Sequence, residues 1–356
     1  MARIVVHAGM PKTGSSSIQE WLRDRAASLA DAGITPLRAS VRRRGEVLVG
    51  GREAVANMNS GRVGRYARDH PEQAEAVAAA FFEQLDRAAR GSRLVVVSSE
   101  GWAQWFWHGD ELFLGGLDRL AESHEVDVAY YVRPQHTALE AAWRQWGFRT
   151  DQPPSRFLRG RSRHVEHLRT LRLVRELAPN LRFMVRPFRR DLLAGGNVVV
   201  DFARTFLGVE VPGGDDPGLW RNRGLPLELV NALHGAPAGL LWPADEARYV
   251  NPALEVMRRV ADGLDLPASE EVELSRLVLQ QACHERFEPD NQRLISELGW
   301  DTEEWVPAVA DDIGEASYAR LDQLWRPRAS AAELEVLRGA LALLLEDARA
   351  EGRAGE

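Results

Sequence analysis

The chain has 356 residues, 45% hydrophobic and 27% charged, with a net charge of −7. That length supports one large α/β domain with an appended helical part or two domains, and the composition is that of a soluble globular protein. No apolar run approaches membrane-spanning length, the acidic total argues against general attraction to nucleic acid, and one cysteine, Cys283, excludes an intrachain disulfide, so a cytoplasmic location is expected.

Met-Ala-Arg leads directly into the first apolar strand, which leaves no room for a signal peptide. From Arg3 to Leu22 the sequence reads RIVVHAGMPKTGSSSIQEWL. Ile4, Val5 and Val6 predict a buried strand, Gly9 to Gly14 a tight turn, and Ile18, Trp21, Leu22 and Leu29 the core face of a following helix. A strand feeding a turn that opens a helix directs unpaired backbone N–H groups and the positive end of the helix dipole to one point, an anion site. Gly9 and Gly14 have the spacing of a nucleoside-triphosphate loop, but Ser15 and Ser16 follow Gly14, where such loops place Lys-Ser. The lysine lies within the turn, at Lys12, among the hydroxyls of Thr13, Ser15, Ser16 and Ser17. It is the only lysine; the other 44 cationic side chains are arginine. A compact ammonium on a flexible stem suits a group that must follow a moving anion.

The run His-x-Gly-x-Pro-Lys-Thr-Gly-Ser-Ser-Ser-Ile-Gln resembles the 5′-phosphosulfate loop of sulfotransferases that use 3′-phosphoadenosine 5′-phosphosulfate (PAPS), especially bacterial members related to carbohydrate and small-molecule sulfotransferases. The resemblance implies that Lys12 contacts the leaving phosphate and the sulfonate. It also implies that Thr13, Gly14, Ser15, Ser16 and Ser17 wrap the 5′-phosphate.

Residues 38–70, rich in Arg and Gly, read as a loop insertion, and Pro71 to Arg90 as a helix ended by Gly91. Arg93 to Ser98 is a second strand, ending in Ser98-Ser99-Glu100, and a carboxylate at a strand's carboxyl end is placed to act as a general base. Relatives in the resembled family often carry an acidic residue here, near the acceptor, which makes Glu100 the expected base. The other reading of the same residues is a serine N-cap followed by a first-turn glutamate. Trp102, Trp105, Phe106 and Trp107 offer either an aromatic surface for a sugar ring or apolar scaffold, or a core face; His108 and His7 are back-up bases.

Glu111 to Ser123 predicts a helix and Val126 to Val132 a third strand, followed by Arg133. In the resembled family an arginine here, with a serine eight positions on, holds the 3′-phosphate of PAPS. Arg133 fits that pattern, whereas the eighth position is Ala141; Arg144 and Arg149 stand near enough in sequence to compensate. From Arg133 to Arg190 fourteen arginines face four carboxylates, a local basic segment suited to an anionic ligand. Arg156 to Arg163 reads as a basic loop, Val165 to Leu177 as a helix, Leu181 to Val185 as a fourth strand, and Asn197 to Leu207 as an amphipathic helix closed by Gly208. The pattern Val-Arg-Pro-Phe … Asp-Phe-x-x-x-x-Leu-Gly again resembles the family, where it is mainly structural.

Alternation of strands and helices from residue 3 to 208 predicts an α/β fold, a P-loop-like parallel sheet flanked by helices. A boundary near residue 212 separates this core (1–212) from a mostly helical C-terminal portion (213–356). Helices are expected at Pro226 to His234, Pro252 to Gly263, Ser269 to Phe287, Asn291 to Leu298 and Ala331 to Arg349, with Asn291 a cap.

The expected activity is sulfuryl transfer from PAPS, the co-substrate, to a hydroxyl or amine of a carbohydrate or small-molecule acceptor, including secondary metabolites. Lys12 and Glu100 would be the catalytic pair, and no metal is required. Two alternatives are a small-molecule kinase on a variant P-loop and a nucleotide-binding protein without catalysis. No nucleic-acid partner and no membrane span are expected.

Overall fold

The computed structural model describes residues 2–41, 47–50, 61–147, 150–211, 225–234, 270–301, 305–310 and 312–325, with positions 332, 335, 339 and 343. In chain order the elements begin β1 (Arg3–Gly9), α1 (Ser15–Asp24), α2 (Ala26–Asp31), β2 (Ile34–Val41), β3 (Val47–Gly50), α3 (Gly61–Asp69) and α4 (Ala74–Arg90). They continue with β4 (Leu94–Ser99), α5 (Gly101–His108), α6 (Glu111–Ala121), β5 (Glu125–Val132), α7 (Gln135–Trp146), α8 (Pro154–Arg161) and α9 (His167–Leu177). The last described are β6 (Arg182–Pro187), α10 (Val198–Phe202), α11 (Leu227–Leu233), α12 (Glu270–Leu298) and α13 (Tyr318–Leu324).

Two compact units result. The first comprises Met1–Pro134, Glu166–Asn222 and Arg293–Trp300; the second comprises Gln135–Val165, Arg223–Gln292 and Asp301–Glu356.

The first unit is α/β. Its sheet has the order β3-β2-β4-β1-β5-β6, and the five strands β2, β4, β1, β5 and β6 run parallel, with β3 antiparallel at the β2 edge. The four strands expected from sequence are all present. β1 is central, and its near-continuous apolar run is that of a strand buried on both faces. On one face Val5, Val96, Ala129 and Tyr131 pack under Ile18, Trp21, Leu22, Leu29 and the α10 side chains Val199 and Phe202. On the other, Phe106 of α5 meets Tyr130 and Phe183 edge-on. Burying each such side chain stabilises the fold by about 1.5–3 kcal/mol.

Several expectations are corrected. The first helix is two, broken at Arg25, whose φ of −102° and ψ of 11° leave the helical region, and Leu29 belongs to α2. Within 38–70, read as a loop insertion, lie the end of β2, β3 and α3; residues 42–46 and 51–60 are outside the described ones. Pro36 masks β2 in the sequence; among the described residues 34–37 pair with β4 and 38–41 with β3. The segment from Arg156 to Arg163 is the helix α8 running into a 3-10 turn, Ser162–Val165. The stretch Asn197 to Leu207, expected as one amphipathic helix closed by Gly208, is capped by Asn197, turns π-helical over Ala203–Leu207 and ends at left-handed Gly208, with Arg204 and Thr205 exposed.

Among the described residues after 213 only helices occur, so the C-terminal part is helical. The helices expected at Ser269 to Phe287 and Asn291 to Leu298 are one, α12, which continues through Pro289. Asn291 is therefore no cap: it is buried mid-helix and accepts from Gln135 Nε2 at 2.6 Å. Residues 252–263 and most of 331–349 lie outside the described residues. In the second unit Trp143 is fully buried, stacked on Trp325 and edge-on to Phe157, with its indole N–H given to Asn231. No described helix is long and apolar enough to cross a membrane.

Candidate functional site at the carboxyl ends of β1, β4 and β5

Parallel pairing sets His7 beside Ser98 and Ala8 beside Ser99 on β4, and Gly9 beside Tyr131 on β5. Three chain segments therefore leave the sheet at the same edge: the loop Met10–Gly14, the Ser99–Glu100 corner, and Val132–Arg133. This is the edge where ligands gather in open parallel sheets.

The loop is closed by its own atoms, since the Thr13 N–H and hydroxyl both donate to the Met10 carbonyl, at 3.2 and 2.7 Å. Lys12 is the only described non-glycine residue with positive φ, 67°. Left-handed backbone costs a side-chain-bearing residue about 1–2 kcal/mol, a strain held at the residue singled out by sequence. Two glycines make the geometry possible. A Cβ on Gly9 would stand 1.8 Å from Ser15 Oγ, and Gly14, at φ 76°, would bring one 2.5 Å from Val198 Cγ1. Helix α1 starts at Ser15 with no side-chain cap and no acidic residue in its own first turn.

At the corner after β4 the serine, and not the glutamate, is hydrogen-bonded to the start of α5. Ser99 Oγ accepts the Gly101 N–H at 3.0 Å and so caps α5, while the Glu100 side chain takes no part in capping. Glu100 is an exposed residue at this corner, with protein atoms crowding its carboxyl. Its pKa is raised by that desolvation, against the opposing pull of the Lys12 ammonium and the nearby Ser15 hydroxyl. The Ser15 hydroxyl, though close to the carboxyl, has no hydrogen bond of ordinary geometry and is buried. Arg133 comes from the end of β5: its Nη1 donates to the Lys12 carbonyl at 3.2 Å, and its guanidinium carbon lies 5.9 Å from the Phe188 ring centroid. His167, its pKa pushed down to about 4 by burial, is neutral and donates from Nε2 to the Arg133 carbonyl at 2.9 Å.

Of the residues expected from sequence, Lys12, Ser15, Glu100 and Arg133 are thus brought together. Gly14 and Ser17 flank them; Ser17 is buried and Ser16 exposed, and Thr13 is buried with its hydroxyl spent on the loop. Arg144 is engaged by the Leu225 carbonyl and Glu140, and Arg149 lies outside the described residues.

Both back-up bases are corrected. His7 has no solvent access, holds Ser98 Oγ at 2.7 Å through Nδ1, and is pushed down to a pKa of about 3 by burial. His108 is exposed at the far end of α5, about 12 Å along the helix from Glu100. The aromatic acceptor surface is corrected as well, because Trp102, Trp105, Phe106 and Trp107 are all buried. Trp105 stacks on Phe113 at 3.8 Å, Trp102 meets Phe81, and Trp107 donates to the Tyr130 hydroxyl. The sequence reading missed the Arg133–Lys12 contact and the Phe188 ring beside Arg133. A local signal for the second existed in Arg-Pro-Phe directly after an apolar strand.

No protein-family model, curated protein or solved structure matches the chain at a significant level.

Proposed function

We propose that the chain is a sulfotransferase that moves a sulfuryl group from PAPS to a hydroxyl or amine on a carbohydrate or small-molecule acceptor. The observation that carries this reading is the convergence of Lys12, the uncapped start of α1 and Arg133 with Glu100, three cationic or N–H-bearing elements and one base at one sheet edge. A P-loop-like donor cradle is part of the same proposal.

PAPS supplies the activated sulfuryl group. The first-turn N–H groups of α1 and the hydroxyls of Ser15 and Ser16 would receive the 5′-phosphate, and Arg133 the 3′-phosphate. As the bond from sulfur to the bridging oxygen breaks and the acceptor oxygen or nitrogen bonds to sulfur, the electron pair stays on the leaving phosphate. The Lys12 ammonium would stabilise that charge. Glu100 takes the acceptor proton, and its raised pKa makes it a stronger base than an ordinary carboxylate. This chemistry places no demand on a metal ion.

Calorimetric titration with adenosine 3′,5′-bisphosphate, with ATP and magnesium as the comparison, tests the donor site. Micromolar binding that ATP does not match, and that Lys12→Ala and Arg133→Ala each weaken, is expected. No binding, or a preference for ATP with magnesium, overturns the reading in favour of a kinase.

A further inference from the structure

Two polar atoms flanking the loop after β1 are buried and, among the described residues, have no hydrogen-bond partner of ordinary geometry: His7 Nε2 and Ser15 Oγ. They meet around one point. The place a Cβ would take on Gly9 is 1.8 Å from Ser15 Oγ and 3.5 Å from His7 Cε1, the carbon bonded to Nε2. The hydroxyl and this edge of the imidazole are therefore at most about 5 Å apart, a gap that one bridging water or a small shift at the start of α1 closes. Gly9 supplies the room, because a Cβ there would strike the hydroxyl.

Packing alone does not call for a histidine at this position. The ring lies against Tyr131 and Phe202, at centroid distances of 6.1 and 5.2 Å, surroundings that a phenylalanine would fill without leaving a polar atom unmatched. An unmatched buried donor or acceptor costs about 1–3 kcal/mol. The other ring nitrogen is engaged, with Nδ1 2.7 Å from Ser98 Oγ. Burial keeps the ring neutral, so one nitrogen carries a proton and the other a lone pair. If Nδ1–H donates to Ser98, the bare Nε2 draws the Ser15 proton to itself and away from the loop. If Ser98 donates to Nδ1, an Nε2–H is directed at the Ser15 oxygen, and the Ser15 proton is left for an acceptor on its other side. The Glu100 carboxylate beside Ser15 and an oxyanion at the loop both only accept, so the second arrangement matches every donor to an acceptor.

We propose that His7 is a positioning residue: its Nε2–H holds the Ser15 oxygen, directly or through one water, and so commits the Ser15 hydroxyl as a donor to the anion bound at the loop. Donation then runs in one direction, from Ser98 to His7 to Ser15 to the anion, and each bond in such a chain polarises the next. His7 itself neither touches the ligand nor exchanges a proton with it, in keeping with its lack of solvent access. The role at the anion rests on the loop being the donor site proposed above; the hydrogen bond between His7 and Ser15 does not.

Two measurements on the full chain test the proposal. In nitrogen NMR spectra of the imidazole side chains, with the His7 signals assigned by their loss in His7→Gln, the Nε2–H tautomer is expected, and Ser15→Ala is expected to shift the Nε2 signal more than that of Nδ1. The Nδ1–H tautomer, or a His7 spectrum that Ser15→Ala does not move, overturns the proposal, and neither result depends on a ligand. In calorimetry with adenosine 3′,5′-bisphosphate, His7→Phe and Ser15→Ala are each expected to weaken binding about five- to tenfold, and the double variant no more than either alone. His7→Gln, whose amide N–H can reach the Nε2 position, is expected to bind within about twofold of wild type. Additive losses, or a His7→Gln variant as weak as His7→Phe, overturn the positioning role, because disturbed packing alone would produce both. Failure of the wild-type chain to bind the bisphosphate overturns the donor reading, and with it the role at the anion.

Discussion

Arg133 Nη1 donates to the backbone carbonyl of Lys12 at 3.2 Å, joining the end of β5 to the middle of the loop after β1 across 121 residues of sequence. One guanidinium thereby helps hold a left-handed lysine in place. Arg133→Ala is expected to weaken adenosine 3′,5′-bisphosphate binding by about 1.5–3 kcal/mol, roughly ten- to a hundredfold, and Arg133→Lys to recover only part of it. Calorimetry on the two variants measures the difference.

The close approach of Ser15 to Gly9 makes the loop intolerant of a methyl group. In Gly9→Ala the new Cβ would stand 1.8 Å from Ser15 Oγ, so the start of α1 must move. A loss of about 1–3 kcal/mol in urea unfolding is expected, together with loss of nucleotide binding, whereas Ser16→Ala, at an exposed hydroxyl, should leave stability within about 0.5 kcal/mol.

Glu100 and Lys12 make a coupled prediction. Burial raises the Glu100 pKa and Lys12 lowers it, so the base form is lost as pH falls through the raised value, and Lys12→Met should move the acid limb of the pH–rate profile to higher pH. Glu100→Gln should cut the rate of adenosine 3′,5′-bisphosphate release from PAPS, in the presence of acceptor, by about 10²–10⁴. For stability the sign is opposite to that of a paired carboxylate. The folded protein favours the protonated acid, so Glu100's contribution is present below 4.5 and lost as pH rises through its folded pKa. Glu100→Gln is therefore expected to be no less stable than wild type at neutral pH.

The buried histidines make the fold sensitive to acid. His7 has its pKa lowered from 6.5 to about 3, so the unfolded chain binds the proton first, and stability falls as pH drops from 6.5 towards 3. The slope is about 1.4 kcal/mol per pH unit for each such histidine, and His167 adds its share down to about 4. Urea midpoints of wild type and His7→Gln across that range should differ in slope by one histidine.

Asp201 is fully buried and satisfies four partners: both forks of Arg186, the Tyr131 hydroxyl at 2.7 Å and the Ala194 N–H at 3.0 Å. Asp201→Asn leaves a half-buried guanidinium without its anion, and a loss of about 3–5 kcal/mol is expected in urea unfolding.

The strands β1, β4, β5 and β6 and the loop between β1 and α1 were determined by the sequence alone. Runs such as Arg3–Val6 and Leu94–Val97 are continuous in apolar residues and bounded by turn residues, and that information is local. Tertiary structure decided what depends on a partner elsewhere in the chain. Pro36 disguised β2, whose place in the sheet is set by pairing with β4, and Pro289 disguised the continuity of α12. The Trp102–Trp107 run could be read as core or as a ligand surface until Phe81, Phe113 and Tyr130 covered it. His7 lost its claim as a base only when Ser98 and the rings of Tyr131 and Phe202 enclosed it. The meeting of Lys12 with Glu100 and Arg133 follows from strand order, which no local pattern encodes, because periodicity reports which face of an element is buried and not which element lies against it.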